Sequence, residues 1–494
     1  MEERSTNKKT YQESLKATSI TALAQIVQIA VKMINTKFVA VLLGPLGVGT
    51  IGLFQSSISL ISTISGLGLG SSAVRDVARA HKEGDWETIG LTIQTLRRLV
   101  WITGMAGAIF CLLAGGWLSQ ISFNSDEHSL SFRILGLMVL FNQVSAGQMA
   151  LLQGLRMLKE MTLAAVIGTV AGLIFAGPIY WWLGDSGIVP ALLVLSMVPV
   201  LVAYYFSGKL PLKKWNFSFE KFREIAIPMV KLGASTMLSN LFMLLALWLT
   251  RIIVQRKFGL SGVGQFQAGW GVTTIYLQMI FQAMGRDYYP RLSGIAGDNM
   301  GMNRLVNEQL HLALLLGTPL LLLAMISAPW IITFLYSSGF QAAISQLQWL
   351  AFGTLFKLIS WPLGFILLAL RKSTVYLVTE SLAAALFLLL VLPLIEIFGM
   401  NGIGIAYSIN YILYFFVVFF AAIKIINFQF DSKSLLLLII SSIFCLFAMY
   451  SNFFYPSKLL VFLSVLFSAG LTFFYFKELN QLTGLIQSIW SRFK

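Results

Sequence analysis

The sequence contains little charge, since only 11% of its 494 residues are Asp, Glu, Lys or Arg. Soluble domains carry roughly 25% charged residues, so this class is excluded. Hydrophobic residues make up 57% of the chain, and the mean hydropathy is +0.80. Mostly apolar stretches of about 20 residues, the length that spans a bilayer, follow one another with short connections. We predict an all-α polytopic membrane protein with about 14 transmembrane helices.

Cysteine is nearly absent. Cys111 and Cys445 both fall in predicted helices, where a small core residue is a better interpretation than a disulfide or a metal ligand. No cofactor and no metal site are predicted, and no G-x-x-x-x-G-K-[ST] run indicates an ATP site. The first apolar run contains Lys32 and lacks a small-residue cleavage site, so no cleavable signal peptide is expected.

Carboxylates are scarce within the predicted spans, where Glu380 is the only clear one. The outer loops are short, and their largest acidic cluster is Asp126-Glu127 beside His128. An enzyme that transfers glycans would need groups for acid–base or metal chemistry, so we predict no enzyme and no catalytic residues. Two interpretations of Glu380 stay open, which are pairing with Lys357 and binding of a coupling proton or sodium ion.

Positive charge is distributed unevenly along the chain, whose net charge is +15. With the N-terminus inside, the outer loops hold little beyond Arg256, Lys257 and Lys458. This bias follows the positive-inside rule and predicts that both termini are cytoplasmic. The net charge is thereby explained by topology, and no nucleic-acid partner is predicted.

A long internal repeat organises the chain. The run Gly44–Gly49 recurs as Gly259–Gly264, 215 positions later, and the same offset relates Leu155-Arg156 to Leu370-Arg371 and Gly184 to Gly399. Repeats in an apolar chain are typical of transporters with a substrate site between related halves. Six spans per repeat return the chain to its starting side. This predicts two parallel six-helix lobes, at 1–210 and 211–425, followed by two extra helices and a cytoplasmic tail at 426–494.

Polar groups inside the predicted spans are candidates for a substrate cavity, because they are costly in lipid and usually functional. Lys32 shares one helix face with Thr21, Gln25, Gln28 and Asn35, which are spaced by four, three, four and three residues. Such a stripe faces either a hydrogen-bonded helix seam or a cavity. The predicted cationic cavity residues are Lys32, Lys357, Lys37 and Arg251, and the predicted polar face is Gln25, Gln28 and Asn35. Lys37 and Arg251 lie nearer helix ends, where long basic side chains also reach the interface.

The chemistry of these residues favours an anionic amphiphile as substrate. A pyrophosphate offers several acceptor oxygens to lysine, which acts on it as a point charge. Amide and tryptophan side chains suit sugar hydroxyls and rings. An organic cation would be repelled by the same cavity.

The order and spacing of several landmarks carry a family resemblance. These landmarks are Leu43–Gly49, Tyr288–Ser293, Leu355-Phe356-Lys357, Ala369–Ser373 and Glu380. Over about 1–425 the chain resembles the multidrug/oligosaccharidyl-lipid/polysaccharide transporter superfamily, and within it the O-antigen flippases. The resemblance implies alternating access, by which an undecaprenyl-pyrophosphate-linked oligosaccharide crosses to the outer leaflet of the bacterial inner membrane. It also implies coupling to H⁺ or Na⁺, contact with membrane lipids, polysaccharide polymerase machinery as a partner, and Lys32 and Lys357 as cationic cavity residues.

Other classes stay open to different degrees. A lipid II flippase would share the chemistry and, with fourteen spans, would match the two extra helices. A cation-coupled multidrug exporter of the same superfamily would be expected to carry several intramembrane carboxylates. A major-facilitator sugar carrier would have a loop rich in glycine and arginine after its second helix, and residues 71–85 do not contain one.

Overall fold

The chain folds almost entirely into helices. The computed structural model describes the backbone of residues 2–208, 218–453 and 458–483, with side chains described there except at 2–23, 239, 275–280, 282–287, 373, 452–464, 476 and 479–483. Over these ranges no strand occurs, which confirms the all-α prediction. The helices are α1 (Glu2–Gly66), α2 (Leu69–Glu83), α3 (Trp86–Phe123), α4 (Ser129–Gly154), α5 (Leu158–Leu183), α6 (Ile188–Gly208), α7 (Phe219–Gly294), α8 (Asn299–Ile326), α9 (Ala328–Leu335), α10 (Gln341–Ala369), α11 (Ser373–Phe398), α12 (Asn401–Ile426), α13 (Ser432–Phe453) and α14 (Lys458–Thr483), with a 3₁₀ helix at Gly184–Gly187.

The helices have the length and composition of membrane spans. Within the described residues, nine helical segments are long and apolar enough to cross a bilayer, or ten if a bent pair in α7 counts as one span. Two of the nine, Ala24–Gly66 with 43 residues and Leu158–Gly208 with 51, each contain two of the apolar stretches seen in the sequence. The protein is therefore a multi-pass membrane protein. The count of fourteen spans stays a prediction, and parts of the predicted spans lie outside the described side chains.

The internal repeat is visible in the backbone. Gly44 interrupts α1 with φ 62° and ψ −166°, and Gly259 interrupts α7 with φ 70° and ψ −173°. Only glycine adopts this conformation readily, which explains why both copies keep it. Two further pairs at the same offset also share a positive φ, namely Gly184 and Gly399 at 54° and 59°, and Arg156 and Arg371 at 57° and 58°. The repeat predicted from sequence is thus confirmed as a repeat of structure.

The chain forms two compact units, residues 1–264 and residues 265–494. The first unit contains α1 to α6 and the first part of α7. In one buried cluster of this unit, Ala73 and Val77 of the amphipathic helix α2 pack with Ile93 of α3, Leu151 of α4 and Met229 of α7. The second unit contains the rest of α7 and α8 to α14. The lobe boundaries after residues 210 and 425 stay predictions.

Within the first unit, the two copies of the glycine motif touch each other. A Cβ atom added to Gly49 would lie 1.9 Å from the carbonyl oxygen of Leu260, and one added to Gly264 would lie 1.9 Å from that of Pro45. We refer to this backbone packing of Gly44–Gly49 on Gly259–Gly264 as the glycine contact. It leaves no room for a methyl group on Gly49 or Gly264, so these two glycines are needed for packing, whereas Gly44 and Gly259 are needed for the turn.

Candidate functional site

Lys357 provides a positive charge inside the second unit. It lies on α10, half-buried, with its Nζ atom 5.0 Å from the ring centroid of Tyr411. A cation at this distance is attracted by the face of the ring. Lys357 also interacts with the hydroxyl of Tyr407. Among the residues that the structure describes, no carboxylate forms an ion pair with Lys357, so its charge is available to an anionic ligand.

Glu380 has a different partner from the one that the sequence suggested. Its Oε1 atom accepts a hydrogen bond of 2.5 Å from the hydroxyl of Tyr414. The interpretation that pairs Glu380 with Lys357 is therefore wrong for this conformation. The hydroxyl of Tyr414 thus satisfies this oxygen of Glu380 and links α12 to α11.

A row of tyrosines joins these two groups. Tyr407, Tyr411 and Tyr414 are spaced by four and three residues on α12, which places them on one helix face. The ring centroids of the first two lie 4.6 Å apart, and those of the last two 6.2 Å apart. All three are buried, with exposed fractions of 2%, 6% and 8%. The sequence analysis missed this tyrosine row, although its spacing was a readable signal.

The predicted polar stripe on α1 is only partly described. Lys32 is exposed, whereas Gln25, Gln28 and Asn35 are half-buried. The Oδ1 atom of Asn35 is buried and accepts no hydrogen bond from any described residue. The side chain of Thr21 lies outside the described set. The stripe is therefore not a fully hydrogen-bonded seam over its described part, and a cavity role for these residues stays a prediction.

The other two predicted cations, Arg251 and Lys37, both make interactions. Arg251 is 8% exposed, and its guanidinium donates a hydrogen bond of 3.2 Å to the carbonyl oxygen of Leu247, among other interactions. Lys37 is half-buried and also makes an interaction. Arg251 thus packs inside the unit, and a substrate role for either residue stays a prediction.

A cavity of about 880 Å³ lies within the first unit, and we call it the hydroxyl–amide cavity. It is formed by the second half of α1, the start of α2, the middle of α4 and the first part of α7. Its polar lining residues are Gln55, Ser59, Ser62, Thr63, Ser71, Asn142, Gln143, Thr236 and Asn240. None of the site residues predicted from sequence lines it. The signal that could have found it is Gln55, Ser59, Ser62 and Gly66, spaced by four, three and four residues on one face of α1.

The fold is shared with known transporters. A solved structure of the lipid II flippase MurJ in an inward closed conformation is 14% identical, with a TM-score of 0.69, and the match covers 94% of this chain and 99% of that one. A multidrug resistance MATE family transporter in an inward-facing conformation is 19% identical, with a TM-score of 0.68, over 82% of this chain and 98% of that one. The fold is that of the multidrug/oligosaccharidyl-lipid/polysaccharide (MOP) transporter superfamily.

The family follows from a sequence match. The model of the polysaccharide biosynthesis protein family matches residues 14–296, more than half of the chain, and the protein belongs to this family. The "Lipid III flippase" of Escherichia coli (strain K12) is 23% identical over 406 residues, which are 81% of this chain and 96% of that protein. The "Putative O-antigen transporter" of Shigella flexneri is 24% identical over 392 residues, 76% of this chain and 90% of that protein. The relatives are named as transporters, which confirms the prediction of a non-enzymatic protein.

Proposed function

We propose that this protein is a flippase that moves an undecaprenyl-pyrophosphate-linked oligosaccharide, such as an O-antigen repeat unit, from the cytoplasmic to the outer leaflet of the bacterial inner membrane. The observation that carries the proposal is the unneutralised Lys357 ammonium held against Tyr411. The family membership and the names of the relatives support it. Both termini lie in the cytoplasm, and the flipped unit becomes a substrate for polysaccharide polymerase machinery.

Lys357 engages the pyrophosphate of the cargo. A half-buried ammonium without a carboxylate partner among the described residues carries a desolvation cost, and the aromatic face of Tyr411 offsets only about 0.5–2 kcal/mol of it. A pyrophosphate that enters adds charge-assisted hydrogen bonds of about 1.5–3 kcal/mol each. Binding of the anionic head therefore stabilises the conformation that contains this site. Alternating access requires such a difference in substrate affinity between two conformations.

Glu380 couples transport to an ion gradient. Its carboxylate accepts the Tyr414 hydroxyl when ionised, and binding of H⁺ or Na⁺ neutralises its charge. Neutralisation weakens the hydrogen bond from Tyr414 and loosens α11 from α12. Binding of an ion to one carboxyl group inside a span thus changes the relative free energy of two conformations. An ion gradient can drive the protein from one conformation to the other in this way.

We expect Glu380→Gln to uncouple flipping from the gradient, because the amide mimics the neutral carboxyl and cannot release a proton. In proteoliposomes, an imposed pH or sodium gradient should stimulate flipping by the wild type and not by the variant, while slow equilibration continues. The matched control is Tyr414→Phe, which keeps the carboxylate and removes its donor. It should retain stimulation at a lower rate. Full stimulation of Glu380→Gln would contradict the coupling role.

The function itself is tested in a strain that lacks the protein. We expect loss of the surface polysaccharide and accumulation of lipid-linked repeat units on the cytoplasmic leaflet, because no other step exposes them to the polymerase. Surface polysaccharide is measured by gel and leaflet location by impermeant labelling of the sugar. Intact surface polysaccharide with altered resistance to cationic dyes would instead identify a multidrug exporter.

A lipid II flippase is the second candidate. The match to MurJ extends over 94% of this chain, against 82% for the MATE transporter, and so includes more of the chain beyond the repeat. Cell lysis with lipid II trapped on the cytoplasmic leaflet in the same deletion strain would favour this candidate.

A further inference from the structure

We infer that the hydroxyl–amide cavity of the first unit is the subsite for the glycan of the cargo, and that it is built for uncharged sugars. This inference rests on the proposed flippase function and deepens it. A volume of about 880 Å³ lies at the upper end of the roughly 300–1,000 Å³ range of small-molecule sites, so the cavity is large enough for more than one sugar ring.

Two side-chain amides are available to a ligand in this cavity. Gln55 of α1 is exposed and Asn142 of α4 is half-buried, and neither has a hydrogen-bond partner among the described residues. An amide both donates and accepts hydrogen bonds, as a sugar hydroxyl or an N-acetyl group does. The two amides therefore offer matched pairs of donor and acceptor to the edge of a sugar ring.

A third polar residue, Ser62 of α1, belongs to the fixed wall of the cavity. Its carbonyl oxygen accepts a hydrogen bond from the amide of Gln143, which is 8% exposed and holds α4 against this part of α1. The wall beside the two available amides is therefore fixed by hydrogen bonding between α1 and α4.

The lining excludes charge. No Asp, Glu, Lys, Arg or His is among the described residues that line the cavity. A carboxylate on an acidic sugar would lose its hydration there and find no cation, which strongly disfavours its entry. The apolar part of the lining includes Met138, Met237 and Met243, whose flexible side chains adapt to the C–H faces of different sugars.

One end of the cavity is closed by close packing of small residues. The hydroxyls of Ser71 and Thr236 lie 2.9 Å apart, and a Cβ atom on Gly68 would lie 2.1 Å from the carbonyl oxygen of Gly233. These contacts tie the start of α2 to α7 at the cavity wall. The glycan subsite therefore lies within the first unit.

The substrate in the test is the cargo that accumulates in the deletion strain. The two competitors are the glycan released from this cargo by mild acid and undecaprenyl pyrophosphate, which has no sugar. The full-length protein is reconstituted in proteoliposomes as the wild type and as the double variant Gln55→Glu/Asn142→Asp. Gln120→Glu is the matched control, since it makes the same amide-to-carboxylate change at an exposed residue of α3 that does not line the cavity. Flipping of the cargo is measured with each of the two competitors.

We expect the released glycan to inhibit flipping by the wild type, and the concentration needed to rise at least tenfold in the double variant. Inhibition by undecaprenyl pyrophosphate should stay within twofold in all three proteins, because that ligand has no sugar to place in the cavity. If the double variant responds to both competitors as Gln120→Glu does, the glycan subsite is refuted and the flippase function stands. If the wild type does not flip the cargo, the proposed function and the subsite both fail.

Discussion

Lys357→Ala is expected to reduce flipping of the lipid-linked oligosaccharide roughly tenfold to a hundredfold, because hydrogen bonds to a charged group contribute about 1.5–3 kcal/mol. The protein should still insert and accumulate, since among the described residues the ammonium interacts with the face of Tyr411 and the hydroxyl of Tyr407 and with no carboxylate. Flipping is measured in proteoliposomes at matched protein density. Lys357→Arg should retain part of the rate, because it keeps the charge but changes its shape.

Two further substitutions give this prediction its controls. Lys231→Ala removes an exposed lysine of α7 and should leave flipping unchanged. Lys32→Ala tests the cationic residue predicted on α1, and we expect a reduced rate with normal accumulation. Normal flipping by both Lys32→Ala and Lys357→Ala at equal protein levels would refute a cationic substrate site.

Gly49→Ala is expected to separate the two copies of the glycine motif. Alanine favours a helix by about 0.5–1 kcal/mol over glycine, but overpacking against backbone costs about 1–3 kcal/mol. The steric cost dominates because the Leu260 carbonyl oxygen, 1.9 Å from the added Cβ atom, belongs to the backbone and cannot rotate away. The conformation that contains the glycine contact should therefore lose population, and flipping should fall by up to about fiftyfold, since the net cost reaches about 2.5 kcal/mol.

Spin labels at the exposed positions Val41 and Arg256, which are themselves related by the repeat, should report a longer distance in Gly49→Ala than in the wild type. Gly264→Ala should have the same effect, because its methyl group would meet the carbonyl oxygen of Pro45. The loss of flipping in the double variant should be smaller than the sum of the two single effects, because both methyl groups disrupt one contact. Gly116→Ala is the matched control, since its Cβ atom would meet its nearest neighbour at an ordinary 3.6 Å. Unchanged distances and rates in Gly49→Ala would show that the contact is dispensable.

The sequence predicted those features that depend on local composition or on comparison of the chain with itself. Apolar stretches indicated the helices, and the shared motif indicated that Gly44 and Gly259 occupy equivalent positions, which their similar φ angles confirm. These features were predictable because a bilayer imposes helix on an apolar chain, and because glycine is the residue that enters the left-handed region at low cost.

The features that escaped prediction depend on which helices are neighbours. Pairing with Lys357 was one of two interpretations of Glu380, because opposite charges attract, yet the neighbouring helix offers the hydroxyl of Tyr414. The hydroxyl–amide cavity combines residues from α1, α2, α4 and α7, and each segment alone contributes only unremarkable polar residues. Charged residues attract notice in an apolar sequence, whereas serine, threonine and asparagine become informative only when packing brings them together.

The glycine contact is reciprocal, since each copy of the motif contributes one glycine and one carbonyl oxygen to the other. Two identical chains related by a two-fold axis contact each other in the same way, because each chain uses the same surface patch. The two halves of this chain are therefore constrained together at these positions. A bulkier residue in either copy meets the same obstacle in the other, so both copies stay tied to glycine while the rest of the repeat has lost most of its resemblance.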